Sequence, residues 1–250
     1  MSESVSDVQH YDGLDFWGPY GDPRMERLLA LLRLRAGDRF LDIGCGKAEL
    51  LVRAAETIGA SVTGIDRSPF ALRQARDAIA RRAPNAKAEF LEVDVGDYRP
   101  EPGSFDAIAW IGGPRIGSDL ASTLRTLATW VRPGGALLIG EGFWMQPPPA
   151  EFLEATGFEA SEFSDHAGLV QQAQAVGLRE MYSCVCSVDE WDHFEGTLLS
   201  NRERYALEHP DDPDPHGRLE SYRQFYRAQL RWGRGAMGFG LSVYVRPPEI

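Results

Sequence analysis

The stretch RFLDIGCG, Arg39 to Gly46, is a short apolar run that ends in glycines, and KAELLVRAAETIG (47–59) follows it with apolar residues at helical spacing. A strand, a tight turn and a helix are the reading. Upstream, Asp22 and Pro23 offer a cap and first-turn proline for a helix running to Leu34, whose apolar positions include Met25, Leu28, Leu29, Leu31 and Leu32. Downstream the order repeats. SVTGID (61–66) reads as a strand, SPFALRQARDAIARRA (68–83) as a helix, AEFLEVD (88–94) and FDAIAWIG (105–112) as strands, DLASTLRTLATWV (119–131) as a helix and GGALLIGEGF (134–143) as a strand. The tail adds a helix, AGLVQQAQAVG (167–177), and two strands, LREMYSCVCS (178–187) and GFGLSVYVRP (238–247). Such alternation predicts a single α/β domain over residues 1–250, built on a doubly wound, mostly parallel seven-stranded sheet.

Three segments stand outside that repeat: 1–22, 144–165 and 188–237. They are expected to form lid insertions at the carboxyl edge of the sheet, with surface elaboration as the competing account. The last is expected to be helical over Glu190–Glu208 and Arg218–Arg234, around the charged turn HPDDPDPHG (209–217).

With 43% hydrophobic residues in 250, the chain can bury a substantial core, which excludes a disordered or fibrous protein. Its 26 basic against 37 acidic side chains give a formal charge of -11, which disfavours nucleic acid as a partner. No apolar run approaches the ~20 residues of a membrane span, and the first twenty residues show no signal or transit pattern. Three cysteines without CxxC spacing suit a reducing compartment. A soluble, cytoplasmic protein is therefore expected.

The acids and glycines at the strand ends carry the chemistry. Asp42 precedes Gly44 by two residues and Gly46 follows, so the backbone can approach a ligand while the next helix aims its free amides at it. Such a turn suits a carboxylate- or phosphate-bearing nucleotide cofactor. A dinucleotide fingerprint would want a small residue where Glu49 stands. Asp66 ends the second strand, placed to accept hydrogen bonds from both hydroxyls of a ribose, with Ser68 the more natural cap of the following helix. Asp94 and Val95, after the third strand, can meet an adenine amino group and ring nitrogen, or Asp94 can simply form a turn. Trp110 and Ile111, ending the fourth strand, offer either a flat wall for the cofactor or core packing.

At these residues the chain resembles the class I S-adenosylmethionine-dependent methyltransferases, with FLDIGCG, TGIDRS, FLEVDVGDY, FDAIAW and VRPGGALLIGE in that family's order over residues 39–142. The resemblance implies a Rossmann-like methyltransferase fold and S-adenosylmethionine as cofactor, with S-adenosylhomocysteine as product. It assigns Asp42 and the turn Gly44, Cys45, Gly46 to the methionine part, Asp66 to the ribose, and Asp94 with Val95 to the adenine, with Arg67 a further cofactor-binding residue. Ala48 stands where many members carry a third glycine. GEGFW followed by a proline run is similar to the bacterial small-molecule branch.

A sulfonium methyl is already activated, so the protein has mainly to align donor and acceptor and exclude water. If a base is used, His166 is the first candidate and Glu141 the second. His209 and His216 flank the charged turn and read as solvated. His10, Tyr11, Phe16, Trp17 and Tyr20 crowd a segment without periodicity and are expected to fold over the cofactor, or to serve as structural staples. Trp144 is placed to stack on an acceptor ring or cation, or to pack in the core. No metal-ligand spacing is present, so no metal is expected. The expected reaction is methyl transfer to O or N, with C as a further possibility, of a small, partly aromatic molecule by a monomer or homodimer. The competing functions are a non-methylating reaction such as cyclisation or elimination, and non-catalytic binding of S-adenosylmethionine.

Overall fold

The structure is a computed structural model that describes residues 9–211 and 213–248, the side chains of 213–217 excepted. Residues 1–8 of the expected N-terminal lid segment and the His216 side chain lie outside it. The elements run α1 (Asp22–Leu31), β1 (Arg39–Ile43), α2 (Glu49–Ile58), β2 (Ser61–Asp66), α3 (Pro69–Arg82), β3 (Ala88–Glu92), β4 (Phe105–Ile111), α4 (Leu120–Trp130) and β5 (Val131–Trp144). They continue with α5 (Ala150–Thr156), α6 (His166–Ala175), β6 (Arg179–Val185), α7 (Val188–Glu208), α8 (Pro213–Ala228) and β7 (Met237–Val245).

The seven strands form one sheet in the order β3-β2-β1-β4-β5-β7-β6. From β3 to β5 every neighbour is parallel. β7 is antiparallel: Gly134 and Arg246 bond at one end of its pairing with β5, and Met145 and Ala236 at the other. The mostly parallel sheet of seven is thus as the element order predicts. Strand order reverses beside β1, which pairs with β2 on one side and β4 on the other. Ligands of open α/β sheets bind outside the carboxyl ends at such a switch point.

Local chemistry accounts for the helix ends. Ser68 caps α3 by accepting from the Ala71 amide, with Pro69 in the first turn. Asp119 with Ser122, and Ser187 with Glu190, form capping boxes on α4 and α7. α1 ends at Leu31 rather than Leu34, because Leu32 and Arg33 bond back to Leu29 and Ala30 and Arg33 turns left-handed at φ 54°. α8 starts at Pro213, five residues ahead of the expected Arg218, since a proline's fixed φ suits the first turn of a helix. It then widens into a π-helical turn over Gln229–Gly233.

Contacts divide the described residues into two compact units. The sheet unit comprises residues 22–141, 168–184 and 241–248. Its core is mostly aliphatic, with Leu41, Ile43, Ile108, Leu127 and Leu137 fully buried around Trp110. The insertion unit comprises residues 9–21, 142–167, 185–211 and 213–240. Its core is aromatic: Trp144 meets Phe152, Phe158 and Phe163 edge-on at ring centroid distances of 6.3, 6.3 and 5.3 Å. Among the described residues, no helix is long and apolar enough to cross a membrane.

Candidate active site

In the sheet unit, the register of β1 against β2 and β4 sets Ile43 beside Ile65 and Trp110, so the turn after β1 opens where β2 delivers Asp66. Gly44 is left-handed at φ 70°, and a Cβ there would come within 3.3 Å of Pro114 and 3.5 Å of Gly113. Gly46 follows at φ 53° and Ala48 at φ 60°. A non-glycine residue in this region costs ~1–2 kcal/mol, so the turn keeps its shape at Ala48 with some strain. Gly64 in β2 leaves room for the turn, since a Cβ there would lie 2.8 Å from the Cys45 Sγ. Burial pushes the Cys45 thiol well above its ordinary pKa, with the charges of Asp42 and Asp66 adding to the shift.

Asp66 accepts from the Gly46 amide at 2.8 Å through one oxygen and from the Ser68 amide at 2.8 Å through the other. Each oxygen keeps a further lone pair for a ligand hydroxyl. Asp42 is buried, and its carboxyl is pushed up to about 7, first by that burial and then by the negative charge of Asp66. A buried acid whose pKa is raised by a second acid beside it makes a site for a cation. At α2, Ala48 supplies no side-chain cap, so the first amides of that helix remain for a ligand carboxylate. Cationic and carboxylate subsites side by side fit the amino-acid end of S-adenosylmethionine. A pyrophosphate would face the acids' repulsion.

Asp94 closes a turn by accepting from the Gly96 amide at 2.7 Å, and its other oxygen lies 3.7 Å from the Arg67 guanidinium. Val95 beside it is buried. Trp110, read as wall or core, belongs to the core: it is fully buried, and its indole N–H donates to the Pro114 carbonyl at 2.9 Å. Ile111 is half-buried. Glu141 is buried and paired with the Arg115 guanidinium, which also lies 5.2 Å over the Trp110 ring. Arg115 escapes a reading by motif. Its one signal is its position four residues beyond the end of β4, where ligand-facing loops occur. Glu49, which breaks the dinucleotide pattern, instead bonds Arg53 at 2.6 Å and Arg82 at 2.8 Å, tying α2 to α3.

The insertion unit brings together the remaining residues. Tyr11 stacks on Trp17 at 4.3 Å and lies 6.5 Å from Phe194 of α7. The carbonyls of His10 and Asp12 accept from Asn201 at 2.9 and 2.8 Å. Phe16 packs near Tyr20, and Tyr20 near Phe239. The N-terminal aromatics thus pack on α7 and β7 residues of their own unit. Trp144 is buried, and its indole N–H donates to the Ala160 carbonyl at 2.9 Å, so it is spent on the core. His166 opens α6 and stacks on Phe143 at 4.8 Å, with Gly240 close enough that a Cβ would come within 3.1 Å of the imidazole.

A glycine turn after β1, an acid ending β2 and an acid after β3, on a sheet of order 3-2-1-4-5-7-6 with β7 reversed, define a class I methyltransferase fold. Residues 40–135 match the methyltransferase domain family, and the chain is an S-adenosylmethionine-dependent methyltransferase. It is similar to YjhP of Escherichia coli (strain K12), with 29% identity over 78% of this chain and 79% of that one. A solved S-adenosylmethionine-dependent methyltransferase from Geobacter sulfurreducens, in complex with S-adenosylhomocysteine, superposes with a TM-score of 0.88. It shares 25% identity, over 98% of this chain and 99% of that one. A 27-O-demethylrifamycin SV methyltransferase of Amycolatopsis mediterranei is 34% identical over 50% of this chain and 46% of its own length.

Proposed function

We propose that this enzyme methylates an oxygen or nitrogen, or else a carbon, of a small, partly aromatic molecule, as a monomer or homodimer. The observation that carries the reading is the aromatic character of the insertion unit, built from three segments that interrupt or precede the sheet repeat. The kinship with a rifamycin methyltransferase supports a small organic acceptor. S-adenosylmethionine, when bound, supplies an activated methyl on a sulfonium. Asp42 holds its ammonium, the amides opening α2 its carboxylate, Asp66 its ribose hydroxyls with Arg67 alongside, and Asp94 with Val95 its adenine. Cys45 and the glycines on either side admit the methionine chain to the backbone.

His166 takes the acceptor's proton, held in orientation by its stack on Phe143. Glu141, fixed by Arg115, orients a polar acceptor group rather than moving a proton. Residues 9–22, 144–165 and 188–237, with His10, Tyr11, Phe16 and Trp17 among them, act as the lid that excludes water. Labelled methyl donor tested against a panel of phenols, amines and enols identifies the acceptor. His166→Ala is then expected to lower turnover by ~10²-fold with cofactor affinity nearly unchanged. A cofactor-binding protein that methylates no member of a broad panel would shift the reading to a non-methylating reaction or to binding without catalysis.

A further inference from the structure

The insertion unit contains a partly open cavity of its own, of about 80 Å³, between the residues after β5, the first turns of α7 and the π-helical turn. Among the described residues six large apolar side chains are exposed, and four of them line this one cavity: Met145 at 56%, Val188 at 53%, Leu230 at 44% and Val185 at 37%. Apolar surface gathered around a concavity marks a ligand or partner site rather than chance exposure.

The polar groups around it are few and of definite character. Trp191 lines the cavity, and its indole nitrogen is buried without a hydrogen-bond partner. A buried donor left unpaired is costly unless something supplies an acceptor. Glu195, also in the lining, is buried and takes the Tyr222 hydroxyl at 2.5 Å. Asp192 is neutralised by Arg234 at 2.7 Å. The carboxylates disfavour an anion, and the arginine is already engaged. The wall itself is specialised, because Gln229, Leu230 and Gly233 all belong to the π-helical turn, a distortion frequent at functional sites. A Cβ at Gly233 would lie 1.7 Å from the Gln229 side-chain oxygen, so a larger residue there requires that side chain to shift.

We infer that this cavity binds an uncharged, mostly apolar small molecule whose single oxygen acceptor meets the Trp191 indole N–H. The inference goes beyond the proposed reaction and does not depend on which atom is methylated.

Three probes of similar bulk test it by calorimetry on the whole chain: 4-butylacetophenone, butylbenzene without an acceptor, and 4-butylbenzoate as the anion. The ketone is expected to bind about threefold to tenfold more tightly than the hydrocarbon, as one hydrogen bond allows, and at least about tenfold more tightly than the benzoate. Trp191→Phe should remove the preference for the ketone over butylbenzene and keep the hydrocarbon's affinity. Val188→Gln and Leu230→Gln, at exposed positions that leave folding intact, should each weaken all three. Equal binding of ketone and benzoate, an unchanged ketone preference in Trp191→Phe, or affinities indifferent to both glutamines would overturn the inference. An enzyme that fails every methyl-transfer panel and still shows these differences supports it while removing the proposed reaction.

Discussion

The sheet unit and the insertion unit bury their cores by different means. In the sheet unit the core is mostly Leu, Ile and Val around Trp110, supplied at strand and helix periods. In the insertion unit, rings from residues far apart meet edge-on, as when Trp144 meets Phe158 and Phe158 meets Phe225. The sheet unit carries acids and glycines whose places follow from strand ends. The insertion unit carries an apolar cavity whose walls no local pattern announces. A frame that recognises one cofactor is thus joined by chain connectivity to a part with an aromatic core of its own.

If the division of labour holds, the largest effect belongs to Asp66. On the proposed binding mode, Asp66→Ala removes two charge-assisted hydrogen bonds to the ribose, at ~1.5–3 kcal/mol each. S-adenosylmethionine affinity by calorimetry should fall at least about a hundredfold. Unchanged affinity in a folded variant would remove the cofactor assignment from this acid.

Next in size is Trp144→Ala, which opens a hole in the aromatic core of the insertion unit. A large-to-small change of this kind costs about 3–5 kcal/mol, read as a lower denaturant midpoint. Cofactor affinity in the folded fraction should stay within about threefold. A joint loss of both would show that the two units do not divide the work as described.

Asp42 supplies a pH test confined to the sheet unit. Its folded pKa, about 7, lies above the ordinary carboxyl value, so the folded protein holds this proton more tightly than the unfolded chain. Its contribution to stability is therefore full below about pH 4 and is lost as pH rises through about 7, by at most about 1.4 kcal/mol per pH unit. Asp42→Asn should flatten that decline in unfolding free energy. Affinity for the cationic cofactor has the opposite sign, improving as pH rises towards 7 in the parent protein and levelling in the variant. A stability profile unaltered by the asparagine would place the buried charge elsewhere.

The smallest expected effect is Ala48→Gly. Relief of a left-handed alanine is worth ~1–2 kcal/mol, and the extra freedom of glycine in the unfolded chain returns ~0.4–1. A net gain of about 0.5–1 kcal/mol in the melting curve is the outcome. A loss of stability would show that the Ala48 methyl, buried at 1% exposure, contributes more by packing than its backbone costs.

Much of the sheet was legible because its signals are local. RFLDIGCG and SVTGID end on the residues that the register brings together, whereas the switch beside β1 is visible only in the strand order of the folded sheet. Trp110 could not be assigned in advance, since a wall and a core position share one place on a strand and only burial separates them. Arg115 lacked a motif, and its pairing with Glu141 joins a loop after β4 to the strand β5 across 26 positions of chain. The start of α8 at Pro213 was hidden by charges that resemble a turn. In the insertion unit, three segments each looked like loop or helix alone. Their meeting depends on contacts such as Asn201 with His10, 191 positions apart, which no periodicity encodes.

The mutual field of Asp42 and Asp66 has a consequence for turnover. Methyl loss removes one positive charge from the cofactor, converting a sulfonium into a neutral thioether, while the two acids keep their places. Reactant and product therefore differ in how strongly this corner of the protein attracts them, even though their adenosine and amino-acid ends are the same. On the proposed binding mode, the Coulomb attraction of this acid pair is greater for the donor than for the spent cofactor, a contribution that favours exchange of product for fresh donor.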